Sequence, residues 1–169
     1  ADFKTRVLSS HGFVQAVPVM EVRPQPDPVM QVRGARGQLE LRNADDFVAW
    51  TRRPVPESRV TDAELVFAGY GIVAPEYDWN DYAGLDVRGK IVMVLVNDPG
   101  YATEDPSLFT GRAMTYYGRW TYKFEEAVRQ GAAGLLVIHE TGPAGYPWDV
   151  PRNGAAQPQF DLKIADYAS

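Results

Sequence analysis

Ile91-Val92-Met93-Val94-Leu95-Val96 is apolar at every position, and so is Leu135-Leu136-Val137-Ile138 farther along. A strand that is apolar on both alternating faces must be covered on both sides of its sheet. Leu65 to Val73 reads the same way, so three strands of this kind are expected. One long helix is expected between the second and third, from Thr115 to Gln130. On it Tyr116, Trp120, Phe124, Ala127 and Val128 fall on one stripe at i, i+4, i+8, i+11 and i+12. Glu125 and Arg129 are placed to pair one turn apart on the wet side, and Gly131 suits the residue after the last turn. A helix between two buried strands reads as a right-handed crossover. One helix cannot cover two faces, so a second layer of strands is required. The expected fold class is therefore α+β, with two β layers and one helical layer.

Upstream of these strands, Phe13 to Met20 reads as a strand that Pro18 demotes to a sheet edge, because proline lacks a ladder donor. Arg23-Pro24-Gln25-Pro26-Asp27-Pro28 forbids helix and marks a boundary, separating residues 1–28 from a domain over residues 29–169. A hairpin follows, with Met30 and Val32 alternating with Gln31 and Arg33, a turn at Gly34-Ala35-Arg36-Gly37, and then Leu39 and Leu41. The hairpin and the Phe13 segment are the available material for the second β layer. Asn43 is placed to cap a short helix through Asp45, Asp46 and Trp50. Asp86 to Lys90 and Asn97 to Gly100 bracket the Ile91 strand as turns, and Tyr101 to Met114 is either a mobile loop or a surface-covering one.

At 169 residues the chain hides roughly 70% of its unfolded surface without any staple. Cysteine is absent, which removes disulfides, thiolate zinc sites and a cysteine nucleophile. The net charge of −5, with no basic cluster, argues against nucleic acid as a partner. The longest apolar runs, Ile91 to Val96 and Gly131 to Ile138, fall far short of the roughly 18 residues that cross a bilayer, so no membrane partner is expected. The opening residues carry no export pattern, and the expectation is a segment excised from a longer protein.

Histidine occurs only at His11 and His139, with no paired spacing that aims two ligands at one ion. His139 reads as a packed side chain at a strand end, with one ring nitrogen satisfied. No serine lies in Gly-x-Ser-x-Gly or Ser-x-x-Lys. Gly69-Tyr70-Gly71 opens no helix, because Ile72 and Val73 continue the strand, so these glycines read as close-packing positions. Asp98, Glu104 and Asp105 match no calcium-loop spacing. The remaining signal is aromatic. Tyr117 and Tyr122 fall off the inward stripe of the helix, and with Arg119, Tyr146 and Trp148 they form the candidate contact surface. No catalytic, metal or cofactor-binding residue is assigned in this chain.

Leu65 to Ile72, Tyr77-Asp78-Trp79-Asn80-Asp81-Tyr82 and Asp86-Val87-Arg88-Gly89-Lys90-Ile91-Val92 together resemble the protease-associated (PA) domain inserted in bacterial zinc aminopeptidases of the glutamate carboxypeptidase-like family. Tyr117 to Lys123, Gly131 to Glu140 and Tyr146-Pro147-Trp148 resemble the same insert, so the likeness spans about Leu39 to Phe160, and Gly12 to Val19 resembles the peptidase segment that precedes it. The resemblance implies a swivelling β/β/α domain, with residues 1–28 a lead-in from the peptidase domain. It implies a non-catalytic lid or interaction module, with two zinc ions held by His, Asp and Glu residues elsewhere in the parent. It further implies an exported parent (periplasmic or extracellular), partners in the parent's peptidase domain and in peptide or protein substrates, and a structural His139. A free-standing peptide- or carbohydrate-binding module is the alternative. The exposed edge left near Phe160 makes a homodimer a further expectation.

Overall fold

The structure, a computed structural model, describes residues 2–6, 14–22, 28–51 and 55–163. It mixes strands and helices in an α+β fold. The chain divides into two compact units, one made of residues 1–58 and 149–169 and the other of residues 59–148.

In the first unit, β1 (Asp2–Arg6), β2 (Val14–Val22) and β10 (Gln159–Leu162) form a three-stranded antiparallel sheet with β2 in the middle. The strand expected at an edge is therefore central. Pro18 is tolerated because the two partners use different halves of β2. The β1 ladder runs from Arg6↔Val14 to Asp2↔Pro18, and the β10 ladder takes over from Leu162↔Val19 to Gln159↔Val22. Pro18 thus sits where one ladder ends and the other begins, and its carbonyl still accepts from Lys163 N at 3.0 Å. The β2–β10 pairing also joins residues on opposite sides of the expected 28/29 boundary. His11 and Phe13 lie outside the described residues, as do Arg23 to Asp27 of the proline-rich stretch.

The hairpin forms as expected, β3 (Met30–Gly34) pairing with β4 (Gly37–Leu41) in the register Met30↔Leu41, Val32↔Leu39 and Gly34↔Gly37. Its apolar side is only partly covered, with Leu39 56% exposed. No helix follows Asn43. Asp46 accepts from Arg42 N at 2.8 Å and from Arg42 Nε at 3.2 Å, and Ala44 N donates to Phe47 O, closing a tight turn instead. An aspartate bonded back to the chain in this way competes directly with helix propagation. Helix α4 (Asp149–Ala155) completes this unit.

The second unit is built on three parallel strands in the order β5 (Leu65–Phe67), β8 (Ile91–Leu95), β9 (Gly134–Ile138). Val92 and Val94, both fully buried, pack with Ala68, Tyr82 and Val87, and Val66, Val73 and Leu135 close around them. The long strand expected from Leu65 to Val73 is broken. The chain turns at Gly69-Tyr70-Gly71 and resumes as β6 (Val73–Ala74), which pairs antiparallel with β7 (Trp79–Asn80). The expected cover for this sheet, the hairpin and the Phe13 segment, belongs to the first unit. Within the second unit, residues of the 68–87 segment pack on the Val92–Val94 side. The two glycines do permit close approach. A Cβ at Gly69 would lie 2.7 Å from Asp81 Oδ1, and one at Gly71 would lie 2.6 Å from Val94 Cγ1.

The 101–114 connection is a covering loop. A short helix, α1 (Pro99–Thr103), starts it, and Phe109 anchors it, fully buried and stacked 4.2 Å from the Tyr77 ring, with Trp79 and Tyr117 edge-on at 5.8 and 5.6 Å. Phe109 holds a backbone φ of +48°, a conformation unfavourable for a bulky residue that burial of the ring offsets. The main helix, α2 (Trp120–Arg129), begins later than expected because Tyr116–Gly118 forms a separate 3-10 turn. A further short helix, α3 (Thr141–Ala144), follows β9.

The predicted inward stripe on α2 is rotated. Tyr122, Lys123, Glu126 and Ala127 are buried, whereas Val128 is 74% and Tyr116 55% exposed, and Phe124 is also exposed. The count across Tyr116 and Trp120 passes through a turn that is not α-helical, and two of the truly buried positions are charged. The Glu125–Arg129 pair forms at 3.8 Å, and Gly131 follows the last turn with a φ of +77°.

Gly71→Ala is expected to lose about 2–4 kcal/mol, since the new methyl meets Val94 in a backbone conformation disfavoured for alanine. Gly84→Ala, also at positive φ but with nothing within 4 Å, is expected to lose only about 1 kcal/mol. Urea unfolding followed by tryptophan fluorescence measures the contrast, and equal losses would show that packing at Val94 is not the constraint.

Candidate functional site

The groups around the start of α2 depend on a buried ionic framework. Lys123 is fully buried, and its ammonium donates to Tyr70 O at 2.6 Å and Tyr117 O at 3.2 Å. Asp81 accepts from Tyr70 N and Ile72 N at 3.1 and 3.0 Å, fixing the turn at the two glycines. Asp98, also fully buried, caps α1 through Gly100 N and takes Thr115 N and Oγ1 at 2.9 and 2.7 Å. Asn97 donates to Pro143 O at 2.7 Å. Glu126 accepts from Arg129 Nε at 2.8 Å and Gln130 Nε2 at 2.7 Å. Loss of hydration pushes the Lys123 ammonium down to about 8, opposed by the nearby charges of Asp81 and Asp98.

Of the five candidate contact residues, Tyr122 is 5% exposed and has no face to offer at the surface. Its hydroxyl donates to Val73 O at 3.0 Å and accepts from Val73 N at 3.1 Å, joining α2 to β6. Tyr117 is half-buried among Phe109 and Tyr122, and its hydroxyl donates to Glu76 at 2.5 Å. That bond lowers the Glu76 carboxyl and raises the Tyr117 hydroxyl to about 12. Both tyrosines are structural.

Arg119 and Tyr146 do come together, on a cavity of about 230 Å³ lined also by Val96, Met114, Trp120 and Ala144. Trp120 meets Tyr146 edge-on at 6.0 Å. Burial raises the Tyr146 hydroxyl, and the nearby Arg119 charge opposes the rise. Arg119 is exposed and makes no ion pair among the described residues. Trp148 is not among the residues lining this cavity. The His139 ring sits 5.7 Å from Trp148 and 5.4 Å from Tyr146. Both His139 ring nitrogens are closed to solvent without a hydrogen-bond partner, so the expectation that one would be satisfied fails. The cause is that rings, not polar groups, pack on it.

The carboxylates Asp98, Glu104 and Asp105 each serve a different partner. Asp98 serves the backbone, Glu104 pairs with Arg112, and Asp105 bonds Ser107 N and Oγ. Among the described residues no group of three or more His, Asp or Glu side chains is placed to hold a metal ion. Sequence reading missed Val96, Met114 and Ala144. They bring no chemistry of their own, and only the convergence of strand ends on one point could have flagged them. No protein-family model matches this chain, and no curated protein or solved structure matches it either.

Because Lys123 loses its proton at about 8 when folded and at its ordinary 10.5 when unfolded, the unfolded chain binds more protons between those values. Stability from this site therefore rises with pH across that window and is flat below it. Lys123→Met is expected to cost about 2 kcal/mol near neutral pH, since two carbonyls and two carboxylates lose their cation. The deficit should widen between about pH 7.5 and pH 9.5, as only the wild type titrates there. Urea unfolding of both proteins at the two pH values checks this, and a constant deficit would mean that the buried lysine keeps its proton throughout the window, as an ordinary lysine does.

Proposed function

We propose that this chain is a non-catalytic binding module of the protease-associated type. On this reading it has the swivelling β/β/α fold and is inserted in an exported zinc-dependent aminopeptidase. There it would act as a lid or substrate-contact surface beside the active site, with zinc held by the parent's peptidase domain. The observation that carries the reading is how the second unit uses its polar groups. Its buried ionic side chains, Asp98, Lys123 and Glu126, are bonded to backbone carbonyls, backbone amides and neighbouring side chains in a loop-holding framework. Its cavity is lined instead by a mix of aliphatic and aromatic side chains with Gly118, Thr121 and the Arg119 cation. Apolar walls with a few polar groups are the chemistry of recognition.

The parallel β5–β8–β9 arrangement, with α2 between β8 and β9, is compatible with the layered fold that the resemblance implies. Segments resembling the insert also supply the cavity's cation, Arg119, and two of its aromatic residues, Trp120 and Tyr146. The peptidase domain and peptide or protein substrates are the partners this reading requires.

The purified chain, supplied with zinc, is expected to release no product above buffer from aminoacyl p-nitroanilides or short peptides. Turnover that disappears in a His139→Ala variant would overturn the non-catalytic reading. The gene around this segment is expected to encode a peptidase domain with zinc-binding His, Asp and Glu motifs, and reading that sequence tests the parentage directly.

A further inference from the structure

We infer that the cavity beyond the ends of β8 and β9 is a pocket for a small carboxylate that carries one apolar side chain or ring. This rests on the binding-module reading above and specifies the chemistry of the guest. In parallel sheets the loops at the carboxyl ends of the strands are a common place for ligands. Val96 directly follows β8, Ala144 and Tyr146 come soon after β9, and Trp120 opens the helix that connects the two strands. All of them line the same cavity.

Its size and lining select the guest. About 230 Å³ lies below the roughly 300–1,000 Å³ of drug-sized pockets, so it suits one side chain or ring. Val96, Met114 and Ala144 give aliphatic contact, and Trp120 and Tyr146 give aromatic contact. Arg119 is the one charged lining residue and none is acidic. An apolar guest alone leaves the cation unused, and an inorganic anion leaves the apolar walls unused. A molecule with both parts uses both, and a guanidinium paired with a carboxylate forms a strong, directional contact.

A second observation comes from beside the Tyr146 ring. There His139 keeps two ring nitrogens from solvent with no protein partner. Buried polar atoms are normally satisfied, and an unsatisfied one calls for an explanation.

The chemistry fits either the carboxyl-terminal residue of a peptide or a free organic acid, and three probes separate them. The isotope-labelled full chain is titrated with N-acetyl-L-phenylalanine, with 3-phenylpropionate, and with N-acetyl-L-phenylalaninamide, which lacks the carboxylate. Both acids are expected to give saturable NMR shifts at Val96, Met114, Ala144 and the Trp120 indole, with the amide about tenfold weaker. Tighter binding of the acetylated amino acid assigns the pocket to peptide ends, and tighter binding of phenylpropionate assigns it to free acids. Arg119→Gln, at an exposed position that leaves the core intact, is expected to erase the preference for acid over amide while leaving amide binding unchanged. No saturable shift with any probe, shifts mapping elsewhere, or equal affinity for acid and amide overturns the inference. Those failures leave the non-catalytic reading standing, whereas peptide turnover by the chain would sink that reading and not this pocket.

Discussion

The ammonium of Lys123, buried on the inner face of α2, is the group around which the second unit is organised. Holding it there costs roughly 3 kcal/mol relative to water, judged from the fall of its proton affinity from 10.5 to about 8. The cost is sustained because the ammonium holds two carbonyls that no strand or helix satisfies, Tyr70 O and Tyr117 O. One belongs to the turn after β5 and the other to the 3-10 turn before α2. A neutral side chain of the same size could fill the space but could not hold both turns.

From that anchor the geometry of the cavity follows. Tyr117 O is tied to Lys123, Thr115 to Asp98, and Asn97 to Pro143, so three loops are fixed by side chains that are themselves buried. Arg119 then stands at the first turn of α2, facing Tyr146. The framework does its work by bonding to backbone, and the cavity walls contribute shape. This separation explains why mutations in the ionic framework should act on stability, and mutations at the cavity rim on binding.

Much of this was readable from residue patterns. The buried Ile91 strand, the parallel crossover through one helix to the Leu135 strand, the hairpin with its Ala35-Arg36 turn and the close-packing role of Gly69 and Gly71 all follow from alternation, turn chemistry and spacing, whereas the Leu65 strand stops at Phe67 with Leu65 and Phe67 exposed. Two of the five contact residues, Arg119 and Tyr146, line the cavity, and Trp148 packs on His139 beside it. Tyr122 lies in the core and Tyr117 is half-buried. A helical count begun at Tyr116 starts four residues before the helix and leaves Tyr122 off the inward stripe, although Tyr122 is buried. Pro18 was misplaced because a proline is a poor strand residue only where its amide would be needed, and pairing decides that.

The sequence by itself determined that the Ile91 strand must be buried, since every one of its side chains is apolar on both alternating faces. It also set the breaks between segments, through prolines and glycines that limit the backbone locally. Tertiary structure alone decided which polar groups go inside with them, because a lysine or an aspartate is stable in the interior only when carbonyls and amides from distant positions arrive to meet it. It likewise decided that Val96, Met114, Arg119 and Tyr146 would share one cavity, a matter of where loops converge in space and not of any property these residues carry along the chain.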